Sequence, residues 1–148
     1  MSLKYRLAND LKEAMKAKDK IKKETISFAR AAIKQYEIDN KVELDDQGVI
    51  NILSKQVKMR KDALSSFEEA GRTDLYEVYN EEINILLDYL PKQLSEEQIL
   101  NIVKQTANEL GIEGGKQNMG KLMGAVMPKV KGQADGSIVK KVVESVLQ

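Results

Sequence analysis

The chain has 148 residues, 42% of them hydrophobic and 32% charged, with a formal net charge of +1. That balance predicts a folded, well-solvated domain, or two small ones, rather than a disordered tail. The sequence contains no histidine, cysteine or tryptophan, which excludes Ser-His and Cys-His nucleophile pairs, imidazole acid–base work, thiolate metal sites and a disulfide framework.

The N-terminus Met1-Ser2-Leu3-Lys4-Tyr5-Arg6 has no apolar stretch behind its charges. It does not read as a signal peptide, and no apolar run approaches the roughly 18 residues of a membrane span. The expected location is the cytoplasm, with no membrane partner.

Ser2 is placed to cap a first helix carrying Leu3, Leu7, Leu11, Ala14 and Met15 on one face. Asp19 can cap a second, with Ile21, Ile26, Ala29, Ala32, Ile33 and Tyr36 inward, before a polar connection at Asp39-Asn40-Lys41. Asp45 or Asp46 starts a long third helix with Val49, Ile50, Leu53, Val57, Leu64 and Phe67 inward. Gly71 suits the left-handed residue that ends it. A fourth helix from Thr73 or Asp74 carries Leu75, Val78, Tyr79, Ile83, Leu86, Tyr89 and Leu90, and Pro91 stops it.

Ser95-Glu96-Glu97-Gln98 spells a capping box, with Leu94 as its hydrophobic staple. The fifth helix then runs to Gly111, the sixth begins near Asn118, and Asp135 caps the seventh. The chain therefore reads as all-α. A four-helix N-terminal unit (1–90) precedes a three-helix C-terminal unit (95–148), with a hinge at 91–94.

Charge is distributed unevenly along this order. Residues 1–41 hold 11 basic and 6 acidic side chains, or +5; residues 42–98 hold 6 and 13, or −7; residues 99–148 hold 7 and 4, or +3. Two basic ends around an acidic middle can meet an anionic polymer locally. Lys16, Lys18, Lys20, Lys22 and Lys23 splay around a helix instead of forming one stripe. Lys55, Lys58, Arg60 and Lys61 also read as a solvated basic face. Glu77, Glu81 and Asp88 form an acidic face that repels RNA, and without histidine they do not make a bundle-type metal site.

Residues 114–136 carry the densest signal. Gly115 to Lys121 spells most of a P-loop, but Leu122 replaces the Ser or Thr that would hold magnesium and no strand precedes it. The better reading is an amphipathic helix, since Met119, Leu122, Met123, Val126, Met127 and Val130 follow the i, i+3, i+4, i+7 spacing. Gly120 and Gly124 lie one turn apart and open space for the approach of another backbone. Pro128 has no N–H for the Gly124 carbonyl, so the helix should bend or finish near there. Lys129, Lys131 and Gly132 follow at its C-terminus.

Several segments together resemble the YqeY-like family. They are Asp10-Leu11-Lys12-Glu13-Ala14-Met15-Lys16-Ala17-Lys18-Asp19, Ala31-Ala32-Ile33-Lys34, Lys58-Met59-Arg60-Lys61-Asp62, Ala70-Gly71-Arg72-Thr73-Asp74-Leu75, Tyr89-Leu90-Pro91, and Met119 through Gly124 with Met127, Lys131 and Gly132. A related domain forms the C-terminal tail of the B subunit of the glutamine-dependent tRNA amidotransferase, which has a similar Gly-x-x-Met-Lys-x-x-Lys-Gly-x-Ala pattern. Gly124, Met127, Lys131, Gly132 and Ala134 match it, while Pro128 replaces a lysine and removes one cation.

The resemblance implies a tail without its catalytic body. The chain alone is then not expected to be an enzyme, and no cofactor, metal or catalytic residue is expected. The implied partner is tRNA or another structured RNA, not DNA. The implied contacts are Lys116, Asn118, Gly120, Lys121, Gly124, Lys129, Lys131 and Gly132. Two other classes stand beside this one: an adaptor for a translation-related protein, and an accessory factor of a carbon–nitrogen ligase with glutamine as amido-N-donor.

Overall fold

The computed structural model describes residues 2–148, and every regular element among them is helical. The helices are α1 (Leu3–Lys16), α2 (Lys20–Asn40), α3 (Asp46–Glu69), α4 (Thr73–Leu87), α5 (Glu96–Leu110), α6 (Met119–Val130) and α7 (Gly136–Leu147). A single 3-10 turn at Lys116–Asn118 leads into α6. The chain forms two compact units, one ending at Leu90 and the other spanning Pro91–Gln148.

Local chemistry explains most helix ends. Ser2, Asp19, Asp45, Ser95 and Asp135 each accept a backbone N–H of the first turn that follows, one of the donors a helix start leaves without a partner. Around Ser95 the box is reciprocal: Gln98 N–H donates to the Ser95 hydroxyl at 3.2 Å and Ser95 N–H donates to Gln98 Oε1 at 2.9 Å. At the end of α3, Gly71 takes φ +69°, while Arg72 N–H reaches the Phe67 carbonyl and Gly71 N–H the Glu68 carbonyl. These two bonds satisfy carbonyls that α3 would otherwise leave open. The expected break at Asp39 comes slightly later, because α2 continues to Asn40 and Lys41 adopts the left-handed cap.

In the first unit, Leu7, Ile26, Ile33, Val49, Leu53, Val57, Ile83 and Leu86 form one buried cluster. Three residues expected in that core are instead exposed: Met15, Tyr36 and Val78. Each lies at the edge of its helix's apolar arc. Ile52, absent from the expected face of α3, is buried, since α3 packs against α1, α2 and α4 together.

Arg60 also departs from expectation. It is buried rather than solvated, and its Nη1 donates to the Gln56 carbonyl at 3.1 Å and to Gln56 Oε1 at 2.9 Å. Its Nη2 lies 3.7 Å from Glu82 on α4.

Polar contacts lock α1 in place. Tyr89 O–H donates to Asp10, and the Arg6 guanidinium lies 4.4 Å above the Tyr89 ring while its Nη2 meets Asp88 at 2.9 Å. Burial, and then the bond to Asp10, raises the Tyr89 pKa above the ordinary phenol value. Glu37 Oε2 accepts from Lys4 Nζ and from Leu44 N–H, which ties α1 and the α2–α3 connection to one carboxylate. The Lys4 bond first, and the Leu44 amide second, hold Glu37 below the usual carboxylate range. That tie is present above the ordinary Glu pKa and is lost as pH falls through the lowered one.

In the second unit, Ile99, Val103, Leu122, Val126, Val130, Val139, Val143 and Leu147 make a separate buried cluster. Residues 91–94 are strapped to the α6–α7 connection. Leu94 N–H donates to the Gln133 carbonyl at 2.8 Å, Gln93 Nε2 to the Gly132 carbonyl at 2.8 Å, and Gln133 Nε2 to the Lys92 carbonyl at 3.2 Å.

Candidate functional site

The expected contacts all fall on α6 and its two flanking segments. Leu122, Val126 and Val130 bury one side of this helix against α5 and α7, with Met119, Met123 and Met127 half-buried around them. At about 100° per residue, Gly120, Gly124, Pro128 and Lys131 then fall within roughly 80° of one another on the other side, with Lys121 beside them. Gly120, Lys121, Gly124, Pro128 and Lys131 are all exposed.

The two glycines do not serve packing within the chain. A Cβ built at Gly120 or at Gly124 meets no atom within 4 Å. The close backbone approach expected there is therefore not made by this chain's own backbone. The helix finishes near Pro128, as expected, with α6 ending at Val130. Pro128 leaves the Gly124 carbonyl without the N–H that a residue four positions on would supply.

The lysines separate into two kinds. Lys129 Nζ donates to Thr106 Oγ1 at 2.9 Å and to Glu109 Oε2 at 3.0 Å, so it is held on α5 beside a carboxylate. This corrects the sequence reading, which treated Lys129 as equivalent to its neighbours. Lys116, Lys121 and Lys131 meet no carboxylate among the described residues and are exposed. Lys116 also lines a recess of about 320 Å³ with Met119, Glu144 and Leu147.

Asn118 and Gly132 serve the fold. The Asn118 side chain donates to the Gly114 carbonyl at 2.7 Å, and Gly115 N–H donates to the Leu147 carbonyl at 2.9 Å, which pins the loop before α6 to the end of α7. Gly132 takes φ +76° and accepts the Gln93 side chain. Only glycine adopts that conformation without strain. Among the described residues no group of three His, Cys, Asp or Glu is placed to hold a metal, and no helix is long and apolar enough to cross a membrane.

Residues 4–147 match the family model described as Yqey-like protein. Two curated relatives are each named altered inheritance of mitochondria protein 41, mitochondrial. The one from Pyrenophora tritici-repentis is 32% identical over 145 residues, covering 96% of this chain and 79% of the relative. The one from Kluyveromyces lactis is 36% identical over 132 residues, covering 82% and 70%.

These names overturn the cytoplasmic location expected from composition. Both relatives are mitochondrial proteins by name, and an uninterrupted run of ordinary helices carries no information about compartment. The match over nearly the whole length agrees with the resemblance found in the motifs. The chain belongs to the YqeY-like protein family.

Proposed function

We propose that this chain is a non-catalytic binding protein for structured RNA, tRNA foremost, and that it contacts RNA through the outer face of α6. In this reading the chain is a four-helix unit followed by a three-helix unit joined at 91–94, and the second unit is the RNA-binding one. The observation that carries the reading is the pair of exposed glycines with nothing within 4 Å of a built Cβ, flanked by the unpaired Lys121 and Lys131.

Each helical glycine costs about 1 kcal/mol against alanine. No packing inside the chain offsets that cost, whereas a close-approaching sugar–phosphate backbone would. Lys121, Lys131 and Lys116 supply the phosphate contacts that dominate such affinity. The Gly124 carbonyl, which has no partner at position 128, is an acceptor for a ribose 2′-hydroxyl, the group that distinguishes RNA from DNA. The resemblance of the Gly124–Ala134 pattern to the amidotransferase tail supports the same partner.

Filter binding of bulk tRNA across a salt series tests this. Three neutralised phosphates predict a log–log slope of about −2 to −3. Absence of binding at low salt would overturn the proposal. In the same assay Lys129→Ala leaves affinity and slope unchanged, because Glu109 already neutralises that cation. Its effect appears instead as a stability loss of about 0.2–1 kcal/mol in denaturant, from the broken tie to α5.

A further inference from the structure

The pairing of α1 with α2 leaves a groove of about 460 Å³ on the unit that ends at Leu90, and the RNA reading makes no use of it. Leu7 and Ile33, both buried, form its floor together with the half-buried Leu11. Ser27 and Ala31 keep the α2 wall low. From Ser27 to Glu37 that wall runs for ten residues, about 15 Å of helix.

One exposed apolar side chain stands past the groove on each helix. Met15, four residues beyond Leu11, is 55% exposed, and Ile38, four residues beyond Lys34, is 61% exposed. Side chains four apart share a helix face, so Met15 continues the Leu11 row of α1 and Ile38 continues the Arg30–Lys34 row of α2.

The rim is cationic. Lys4 is neutralised by Glu37, whose Oε2 also holds the Leu44 amide. Arg30 and Lys34 stand one turn apart on α2, exposed, with no carboxylate partner among the described residues. At the Met15 end, Lys18, Lys20 and Lys23 surround a further recess of about 290 Å³.

We infer that this groove docks an acidic amphipathic helix of a protein partner, whose apolar side chains cover the half-buried Leu11 and the exposed Ala31 and whose carboxylates, four residues apart, pair with Arg30 and Lys34. A groove about three helical turns long, with Leu11 and Ala31 in its lining and unpaired cations at its edge, matches such a helix in both shape and charge. Ribose and phosphate have nothing to gain over an apolar floor. A second copy of this chain fits less well: its acidic helix α4 carries Glu77 and Glu81 at the required spacing, but Ile83 and Leu86 are already buried in its own core.

The test titrates the full chain into a fluorescent synthetic helix of about sixteen residues, with leucines at i, i+3 and i+7 and glutamates four apart beside them. Saturable anisotropy is expected. The double reversal Arg30→Glu/Lys34→Glu should weaken binding about tenfold or more, and a peptide with lysine in place of those glutamates should recover affinity for the reversed chain. Ala31→Trp fills the groove without touching the core and should also weaken binding, with helical content by circular dichroism unchanged. Three results overturn the inference: no saturable binding, equal binding of the glutamate and lysine peptides to the unaltered chain, or a double reversal that weakens tRNA binding and leaves peptide binding intact. The last would assign the groove to RNA.

Discussion

Leu122→Ala should remove most of the stability of the unit spanning Pro91–Gln148. Leu122 is fully buried at the centre of a cluster of nine buried side chains drawn from α5, α6 and α7. Truncating a leucine in such a place costs about 3–5 kcal/mol, through lost transfer energy and the cavity left behind. Domains hold only about 0.05–0.15 kcal/mol per residue, so a unit of this size has little more than that in reserve. Hydrogen exchange should show amides of α5, α6 and α7 losing protection while Leu53 and its neighbours on α3 keep theirs. The adjacent exposed change Lys121→Ala should stay within about 0.5 kcal/mol of the parent. Protection in α5–α7 that survived Leu122→Ala would mean that the cluster is not what holds these helices together.

Arg60→Met should cost about 3 kcal/mol in urea denaturation. The buried guanidinium is satisfied by the Gln56 carbonyl, Gln56 Oε1 and the Glu82 carboxylate at 3.7 Å. Removing the cation leaves Glu82 mostly buried without its counter-charge, which is the expensive half of a buried pair. Replacing both partners by methionine should recover most of the loss, because two apolar side chains need no counter-charge. Additive single and double effects would show that Arg60 and Glu82 do not support each other.

These two residues differ in how far sequence reveals them. Leu122 sits on a stripe that any helical spacing finds, and the caps at Ser2, Asp19, Asp45, Ser95 and Asp135 are set by chemistry within three residues. Arg60 lies in a run with Lys55, Lys58 and Lys61, and charge type alone assigns it to solvent. Its burial accompanies the packing of α4, which carries Glu82, against α3, and no local pattern predicts that. Met15, Tyr36 and Val78 fail for the related reason that the width of a buried arc depends on how many neighbours a helix has.

The candidate site shows the same division. Sequence spacing places Gly120, Gly124, Lys121 and Lys131 on the outside of α6, where they lie. It does not separate Lys129 from them, because Glu109 is twenty residues upstream. Asn118 and Gly132 are likewise taken up by partners at Gly114 and Gln93. The interface we propose reduces to Lys116, Lys121, Lys131 and the two open glycines. Composition carries no compartment: the cytoplasmic expectation is contradicted by relatives that are mitochondrial by name.

The outer face of α6 is tested most directly by measuring tRNA affinity of Gly120→Leu/Gly124→Leu beside that of Lys116→Glu/Lys121→Glu/Lys131→Glu. A Cβ meets open space at both positions, and leucine improves helix propensity by about 1 kcal/mol each. The glycine variant should therefore melt no lower than the parent while binding tRNA more weakly. The lysine variant should lose affinity and flatten the salt slope toward zero. Unchanged tRNA affinity in both variants would contradict the assignment of this face to RNA.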